Sequence, residues 1–313
     1  MSGVWATIFQ PGFFASDEVR TALIVGGLVA VVSGVVGVFT VLRGQSFAGH
    51  SLADVGATGG SGAYLLAVPP LWGFLALSVV GAGLMELIGI QRARSRDLAT
   101  GIVLGAALGV SALLLYWDTT WHSSNGQAMT VLFGSIFALS ESTIPLVVVF
   151  SAVSLVLVVL VYRPLLLAGL HPDLARAQRV NARLVGWVFL AALAIAVALS
   201  SIALGSILST AILIGPAATA VRLTRRPGLA MLWAALIGVL AMWLGVLLSY
   251  DSYTWPPAHH GWPVSFLVVA LIVTAYLAVD LTSGRRRSRH RPDRPPVAAA
   301  EPDEDAIHAE WVA

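Results

Sequence analysis

Two ionisable side chains, His50 and Asp54, stand four residues apart in the stretch SFAGHSLADVGATGG, residues 46–60, whose other side chains are small, apolar or hydroxylated. On a helix, residues at positions i and i+4 lie on one face, one turn apart. A neutral imidazole and a carboxylate are ligands that suit a divalent cation such as Zn²⁺, Mn²⁺ or Fe²⁺. The spacing indicates a metal site. Two structural alternatives stay open, because two ligands do not complete a metal coordination shell: a His–Asp hydrogen-bonded pair that ties two helices, or a pair that lies in the lipid headgroup region.

The composition places this stretch in lipid. The chain has 313 residues, of which 58% are hydrophobic and 11% are charged, whereas soluble domains carry about 25% charged residues. Apolar runs long enough to span a bilayer recur from Thr21 to Leu281. A soluble enzyme and a secreted disulfide-bonded domain are thereby excluded. Ionisable groups at membrane depth are costly and usually face a pathway or a cavity, which makes His50 and Asp54 the first candidates for function.

Two residue types are missing from the sequence. The chain has no Cys, which excludes thiolate metal ligands and cysteine nucleophiles. It also has no Lys, so all 18 basic residues are Arg. A Walker A loop needs a Lys on the nucleotide phosphates, and the chain is therefore not itself a P-loop ATPase. Because the ATPase motif is missing, we predict no enzymatic activity, and we also predict no permanently bound cofactor and no nucleic-acid partner. The net charge of +2 says little, because the Arg residues are clustered.

The predicted fold class is all-α, a polytopic membrane helical bundle with eight or nine transmembrane helices. Nine apolar segments are predicted to span, at residues 19–42, 51–68, 71–90, 98–117, 144–162, 184–203, 205–223, 229–250 and 264–281. The count falls to eight if the sixth and seventh segments form one broken element, or if the weakly hydrophobic second segment is re-entrant. A short amphipathic segment is predicted at 128–139.

The charges predict the organisation and the orientation of the chain. Its predicted parts are an interfacial lead-in at 1–17, a transmembrane domain at 18–282 and a disordered tail at 283–313. Cytoplasmic loops collect positive charge. If the nine spans cross the membrane in alternating directions, every Arg group except Arg20 lies on one side of it. The loops on the opposite side, at 118–127 and 251–262, contain no Arg. We therefore predict that the Arg-rich loops and the tail are cytoplasmic, and that the N-terminus lies outside.

Small residues and one proline add expectations about packing. GxxxG spacings occur at Gly56 and Gly60 in the second segment and, twice overlapping, at 101–109 in the fourth. Such spacings predict close helix–helix contact in lipid. Gly215-Pro216 interrupts the short seventh segment, where Pro removes a backbone hydrogen bond and kinks the helix. Broken membrane helices usually line a cavity, so these two residues are candidates for the ion pathway, with a simple packing kink as the alternative.

The stretch around His50 resembles a known signature. It is similar to that of the permease subunits of bacterial ABC importers for zinc, manganese and iron, the ABC-3 metal permease family, where the pattern is roughly Ser-Phe-x-Gly-Asp-Ala-Ile-Ser-His-Ala-x-x-Pro-Gly. Ser46, Phe47, Gly49 and Gly59 match in place, and Thr58 stands where the family has Pro. The family's Asp and His positions hold His50 and Asp54, so the two ligands are exchanged at unchanged spacing. The resemblance implies that this pair contacts the transported metal, and the exchange leaves the preferred metal open.

Other segments resemble the same family in the expected order, namely residues 96–103, 132–138, 171–177 and 204–220. By its residues alone, the third of these is a short amphipathic helix in a cytoplasmic loop, with Pro at its first position and an acid near its N-terminus. The resemblance implies that it is the coupling helix, at about 171–180, that docks on an ATPase subunit. Its candidate contact residues are His171, Pro172, Asp173, Ala175, Arg176, Ala177 and Arg179.

The resemblance implies a type II ABC importer-like permease in the bacterial cytoplasmic membrane, surrounded by lipid. The implied cargo is Zn²⁺ or Mn²⁺, with Fe²⁺ as a further possibility. The implied partners are a separate ABC ATPase, an extracellular metal-binding protein and a second copy of the chain. Two other functions stay open at this stage: a secondary metal/proton transporter that uses His50 and Asp54 as a relay, and a membrane scaffold in which the pair is structural.

Overall fold

The computed structural model describes residues 13, 16–87, 93–122, 125–170, 181–253 and 261–288, and within these ranges it contains helices and no strand. The α-helices, in chain order, are α1 Asp17–Leu42, α2 Ser46–Leu65, α3 Pro70–Leu87, α4 Ala93–His122, α5 Asn125–Phe133, α6 Ile144–Leu170, α7 Ala182–Leu204, α8 Ser206–Leu223, α9 Pro227–Ser252 and α10 Val264–Ser288. Two 3₁₀ turns, Ile136–Ala138 and Glu141–Thr143, connect α5 to α6.

Eight of these helices are long and apolar enough to cross a membrane, by length and composition. They are α1, α3, α4 and α6 to α10. The ninth long helix, α2, falls short because Gly, Ser, His and Asp lower its hydropathy. The prediction of an all-α bundle with eight or nine transmembrane helices is therefore confirmed for the described part of the chain.

The weakly hydrophobic α2 is well shielded by the bundle. It packs against α3, α4, α7 and α8, and every residue from Ala48 to Ser61 except His50 is buried. Neighbouring helices therefore take the place of lipid around its polar groups. This arrangement satisfies the requirement that polar groups at membrane depth lie inside protein or line a cavity.

Glycines let α2 and α1 approach their neighbours closely. A Cβ atom added to Gly59 of α2 would meet the backbone carbonyl of Gly73 in α3, and the reverse substitution would meet Gly59. On α1, a Cβ added to Gly34 would lie 2.7 Å from the backbone nitrogen of Ala235 in α9. These contacts are the close approaches that small residues permit in membrane bundles.

Two sharp turns meet at one end of the bundle. Gly205 separates α7 from α8 with φ +83°, and Gly134 follows α5 with φ +72°. Both conformations are ones that side chains rarely adopt. A Cβ added to either residue would collide with backbone atoms of the other turn. Because a single residue divides two helices of 23 and 18 residues, the sixth and seventh predicted segments are separate helices.

Residues near the two ends of the chain make contacts that the sequence pattern did not predict. Phe13, within the predicted lead-in, is buried and lies edge-to-face with Tyr250, with ring centroids 5.2 Å apart. Arg20, the one Arg on the unexpected side, lies 3.4 Å from a carboxylate oxygen of Glu141. The last helix, α10, continues to Ser288 and so passes the predicted start of the tail at 283.

Candidate metal site

His50 and Asp54 lie within α2, where the helix begins early enough to include the whole predicted signature. Their side chains share one face, as the spacing predicts, with His50 Nε2 3.7 Å from Asp54 Oδ2. The Asp54 side chain is only 9% exposed, whereas that of His50 is 42% exposed. The carboxylate is thus enclosed by the bundle, and the imidazole connects it to open space.

The separation of the two atoms suits a shared cation better than a direct bond. N–H···O hydrogen bonds have heavy-atom distances of about 2.7–3.2 Å, and 3.7 Å exceeds that range. Two ligand atoms each about 2.1 Å from one ion, and this far apart, subtend an angle of about 120° at the ion. The separation of 3.7 Å is therefore compatible with one divalent cation shared by Nε2 and Oδ2.

A third residue completes the setting of the histidine. His50 Nδ1 lies 3.1 Å from the hydroxyl oxygen of Thr210 on α8, within hydrogen-bonding distance. One nitrogen of the ring is therefore within hydrogen-bonding distance of α8, and the other faces the carboxylate of its own helix at 3.7 Å. Sequence reasoning missed Thr210, although it lies in the segment 204–220 that resembles the family.

Main-chain and small-residue contacts hold α2 in place around the pair. The Thr58 hydroxyl lies 3.2 Å from the Asp54 carbonyl oxygen and donates to the Ala107 carbonyl oxygen of α4 at 2.8 Å. Directly before His50, a Cβ added to Gly49 would lie 2.9 Å from Leu213 of α8. The backbone that carries the two ligands is thus fixed against α4 and against α8.

The chain offers two candidate ligands at this position, His50 and Asp54. Among the residues that the structure describes, no group of three or more His, Cys, Asp or Glu side chains could hold a metal ion. A transition metal needs about four ligands or more. Any ion at His50 and Asp54 therefore draws its remaining ligands from water, from a passing partner or from another chain, which suits transient contact better than permanent storage.

The predicted kink residues lie inside a helix that continues on both sides of them. Pro216 is buried within α8, and a Cβ added to Gly215 would meet Ile272 of α10. The carbonyl oxygen of Gly215 accepts a hydrogen bond of 2.8 Å from the Thr219 hydroxyl. These contacts are with neighbouring protein groups, and a role for Gly215 and Pro216 in the ion pathway stays a prediction.

The predicted coupling residues 171–180 lie outside the described residues. A cavity of about 500 Å³ that sequence reasoning missed lies elsewhere in the bundle, between the α5 turn and the facing ends of α9 and α10. Tyr250, Tyr253 and Trp262 contribute aromatic walls, and Ser135 contributes a hydroxyl. Neither His50 nor Asp54 lines it, so the candidate metal site and this cavity are separate features.

Comparison with known proteins finds a matching family and similar relatives. The family model described as the ABC 3 transport family matches residues 16–280. The manganese transport system membrane protein MntC of Halalkalibacterium halodurans is 26% identical over 247 residues, covering 78% of this chain and 84% of the relative. The high-affinity zinc uptake system membrane protein ZnuB of Haemophilus influenzae is 27% identical over 239 residues, covering 75% of this chain and 90% of the relative.

A solved structure has the same fold. PsaBC from Streptococcus pneumoniae, determined in complex with Fab, superposes with a TM-score of 0.74 at 22% sequence identity, covering 88% of this chain and 95% of the matched chain. At that identity the likeness concerns the fold alone. It agrees with the all-α membrane bundle derived from the sequence.

Proposed function

The chain belongs to the ABC 3 transport family, and from that premise we propose that it is the membrane-spanning permease subunit of an ATP-driven importer for a divalent transition metal. Zn²⁺ and Mn²⁺ are the proposed cargo, with Fe²⁺ as a third candidate. The observation that carries the proposal is the enclosed gap of 3.7 Å between His50 Nε2 and Asp54 Oδ2 on α2. One nitrogen and one oxygen donor suit all three ions.

Two relatives, one named as a manganese transport protein and one as a zinc uptake protein, support a divalent transition metal as the cargo. A site with two protein ligands also suits transfer, because an ion that is bound too tightly cannot leave. The rival function, a secondary transporter with His50 and Asp54 as a proton relay, needs no ATPase partner. Membership of an ABC family favours the importer over that alternative.

We propose that a separate ATPase subunit drives transport. The chain has no Lys and so no Walker A lysine of its own. The proposed docking element is the segment 171–180, with Asp173 and Arg176 among its contacts, on the cytoplasmic side. Charge reversal of both residues should abolish co-purification of the ATPase with the permease. Unchanged co-purification would show that the ATPase docks elsewhere.

We propose that two copies of the chain line the pathway and that an extracellular protein delivers the ion. The proposed sidedness places the Arg-rich loops and the C-terminal tail in the cytoplasm. Arg20, the one Arg that this orientation places outside, lies 3.4 Å from Glu141, and both side chains are exposed. Affinity co-purification of two differently tagged copies tests the pairing, and a single recovered tag would contradict it.

The test of the proposed function removes each ligand separately. His50→Ala and Asp54→Ala should each abolish uptake of ⁶⁵Zn²⁺ and ⁵⁴Mn²⁺ by cells that express the complete transporter, because neither remaining ligand holds an ion alone. Ser51→Ala is the matched control, since Ser51 is buried on the same turn and, among the described residues, its hydroxyl bonds only the Phe47 carbonyl of its own helix.

All three variants should insert into the membrane and retain the ATPase, which separates loss of the site from loss of the fold. Wild-type uptake of both ions in His50→Ala and Asp54→Ala would refute the assignment of the site. Loss of uptake in Ser51→Ala as well would show that α2 does not tolerate substitution, and the isosteric Asp54→Asn variant would then decide the question.

A further inference from the structure

The contact between α2 and α8 at the metal site is a side-chain hydrogen bond. His50 Nδ1 and Thr210 Oγ1 are 3.1 Å apart although the residues are 160 positions apart in the chain. On the other side of the same ring, Nε2 points toward Asp54 Oδ2. Rotation of the imidazole about its Cβ–Cγ bond would break the first contact and turn Nε2 away from the carboxylate.

A histidine that binds a metal through one nitrogen usually has a hydrogen-bond partner at the other, which fixes the ring and its tautomer. A hydroxyl group suits this role because it can either donate or accept. It can donate to a bare Nδ1, and it can accept from an Nδ1–H group when Nε2 offers its lone pair to a cation. Thr210 can therefore keep its hydrogen bond to the imidazole with or without a bound ion.

The packing beside this bond makes it sensitive to the position of α8. Leu213 lies three residues after Thr210, on the same face of α8, and is fully buried. It presses on Gly49, the residue before His50, where an added Cβ would lie 2.9 Å from Leu213 Cδ2. The two contacts fix how α8 sits along α2, and a shift of α8 would separate Thr210 from the imidazole.

Resting on the proposed function, we propose that Thr210 is a positioning residue that holds the His50 imidazole in its metal-binding orientation and thereby links the affinity of the site to the packing of α8 on α2. Thr210 does not itself contact the ion. While the hydrogen bond is intact, Nε2 and Oδ2 converge on one point. When α8 moves, the ring is released and the ion has a single fixed ligand, Asp54.

The test measures equilibrium binding of ⁵⁴Mn²⁺ and ⁶⁵Zn²⁺ to the assembled transporter in lipid nanodiscs. Thr210→Val keeps the shape of the side chain and removes the hydroxyl, and it should raise the Kd by about 10- to 100-fold, the usual effect of losing such a partner. Thr210→Ser keeps the hydroxyl and should restore most of the affinity. Thr219→Val is the matched control, because within the part of the chain that the structure describes that buried hydroxyl of α8 bonds only the Gly215 carbonyl of its own helix. The Kd of this variant should equal that of the wild type.

The outcomes separate this inference from the function on which it rests. Wild-type affinity in Thr210→Val, combined with lost binding in His50→Ala, would overturn the role of Thr210 and leave the metal site standing. Equal weakening in Thr210→Ser and Thr210→Val would also overturn it, because the hydroxyl would then not be the cause. Absence of binding in the wild type, together with normal uptake in His50→Ala, would refute the proposed function itself.

Discussion

The helices α2 and α4 carry the same small-residue pattern and use it in opposite ways. On α2, Cβ atoms added to Gly56, Gly59 or Gly60 would meet side-chain or backbone atoms of α3 closer than normal contact allows. On α4, Cβ atoms added to Gly101 or to the two glycines that follow it at the GxxxG spacing would meet nothing within 4 Å in the described part of the chain. The expectation of close packing therefore agrees with the structure for α2 and not for α4 within this chain.

The difference lies in how α4 is rotated about its own axis. The face that α4 turns toward α2 carries polar atoms: the Ala107 carbonyl accepts from Thr58 at 2.8 Å, and Ser111 lies 3.4 Å from Ser61, oxygen to oxygen. Polar groups in lipid gain by pairing with each other, so this face is buried. The glycine face consequently points away from the rest of the chain, and α4 is the least buried of the eight spanning helices.

Gly59→Ala should have the largest effect on stability. The new methyl group would collide with the Gly73 backbone and with Leu77 Cβ, 2.9 Å away, and a backbone cannot move aside as a flexible side chain does. We expect a loss of about 3 kcal/mol, at the upper end of typical overpacking costs, measured as a fall in Tm of the purified chain in detergent.

Gly62→Ala is the matched control for that substitution. It lies one turn further along α2, where an added Cβ would make ordinary contact with Leu114 Cδ1 at 3.7 Å. Its Tm should not fall. Equal loss of stability in both variants would mean that α2 is sensitive to any added methyl group, and the contrast between its packed glycines and those of α4 would lose its basis.

Thr58→Val should have an intermediate effect. It removes the hydrogen bond to the Ala107 carbonyl that joins α2 to α4, and interhelical hydrogen bonds in membranes contribute about 0.6 kcal/mol on average and at most about 1.7 kcal/mol. Thr40→Val is the buried control, since the only bond of that hydroxyl to a described residue is the one to the Val36 carbonyl of its own helix. A Tm of Thr58→Val no lower than that of the control would show that apolar contacts alone hold α4 on α2.

These contacts show which structural features can be predicted from the sequence and which cannot. The positions of the long helices followed from hydropathy, although α6 and α10 extend to Leu170 and Ser288, well past the predicted ends at 162 and 281. The shared face of His50 and Asp54 followed from their spacing, because both features depend on local geometry. Thr210 did not follow, because its meeting with His50 depends on which helices become neighbours. The direction in which the α4 glycines face could not be predicted from the sequence either. It depends on the rotation of α4 about its axis, which brings Ala107 and Ser111 toward polar groups of α2. The ion pair of Arg20 and Glu141, 121 residues apart, is a third case of this kind.

Gly105→Ala should have the smallest effect, and one of opposite sign. Its added Cβ would meet nothing within 4 Å among the described residues, while Ala is more favourable than Gly in a helix interior by up to about 1 kcal/mol. The Tm of the purified chain should therefore stay level or rise slightly, and a fall like that of Gly59→Ala would show that the glycine face of α4 is packed after all. Repeating the measurement on the assembled transporter sharpens the contrast. A gain that persists there assigns this face to lipid, and a gain that turns into a loss assigns it to a neighbouring subunit.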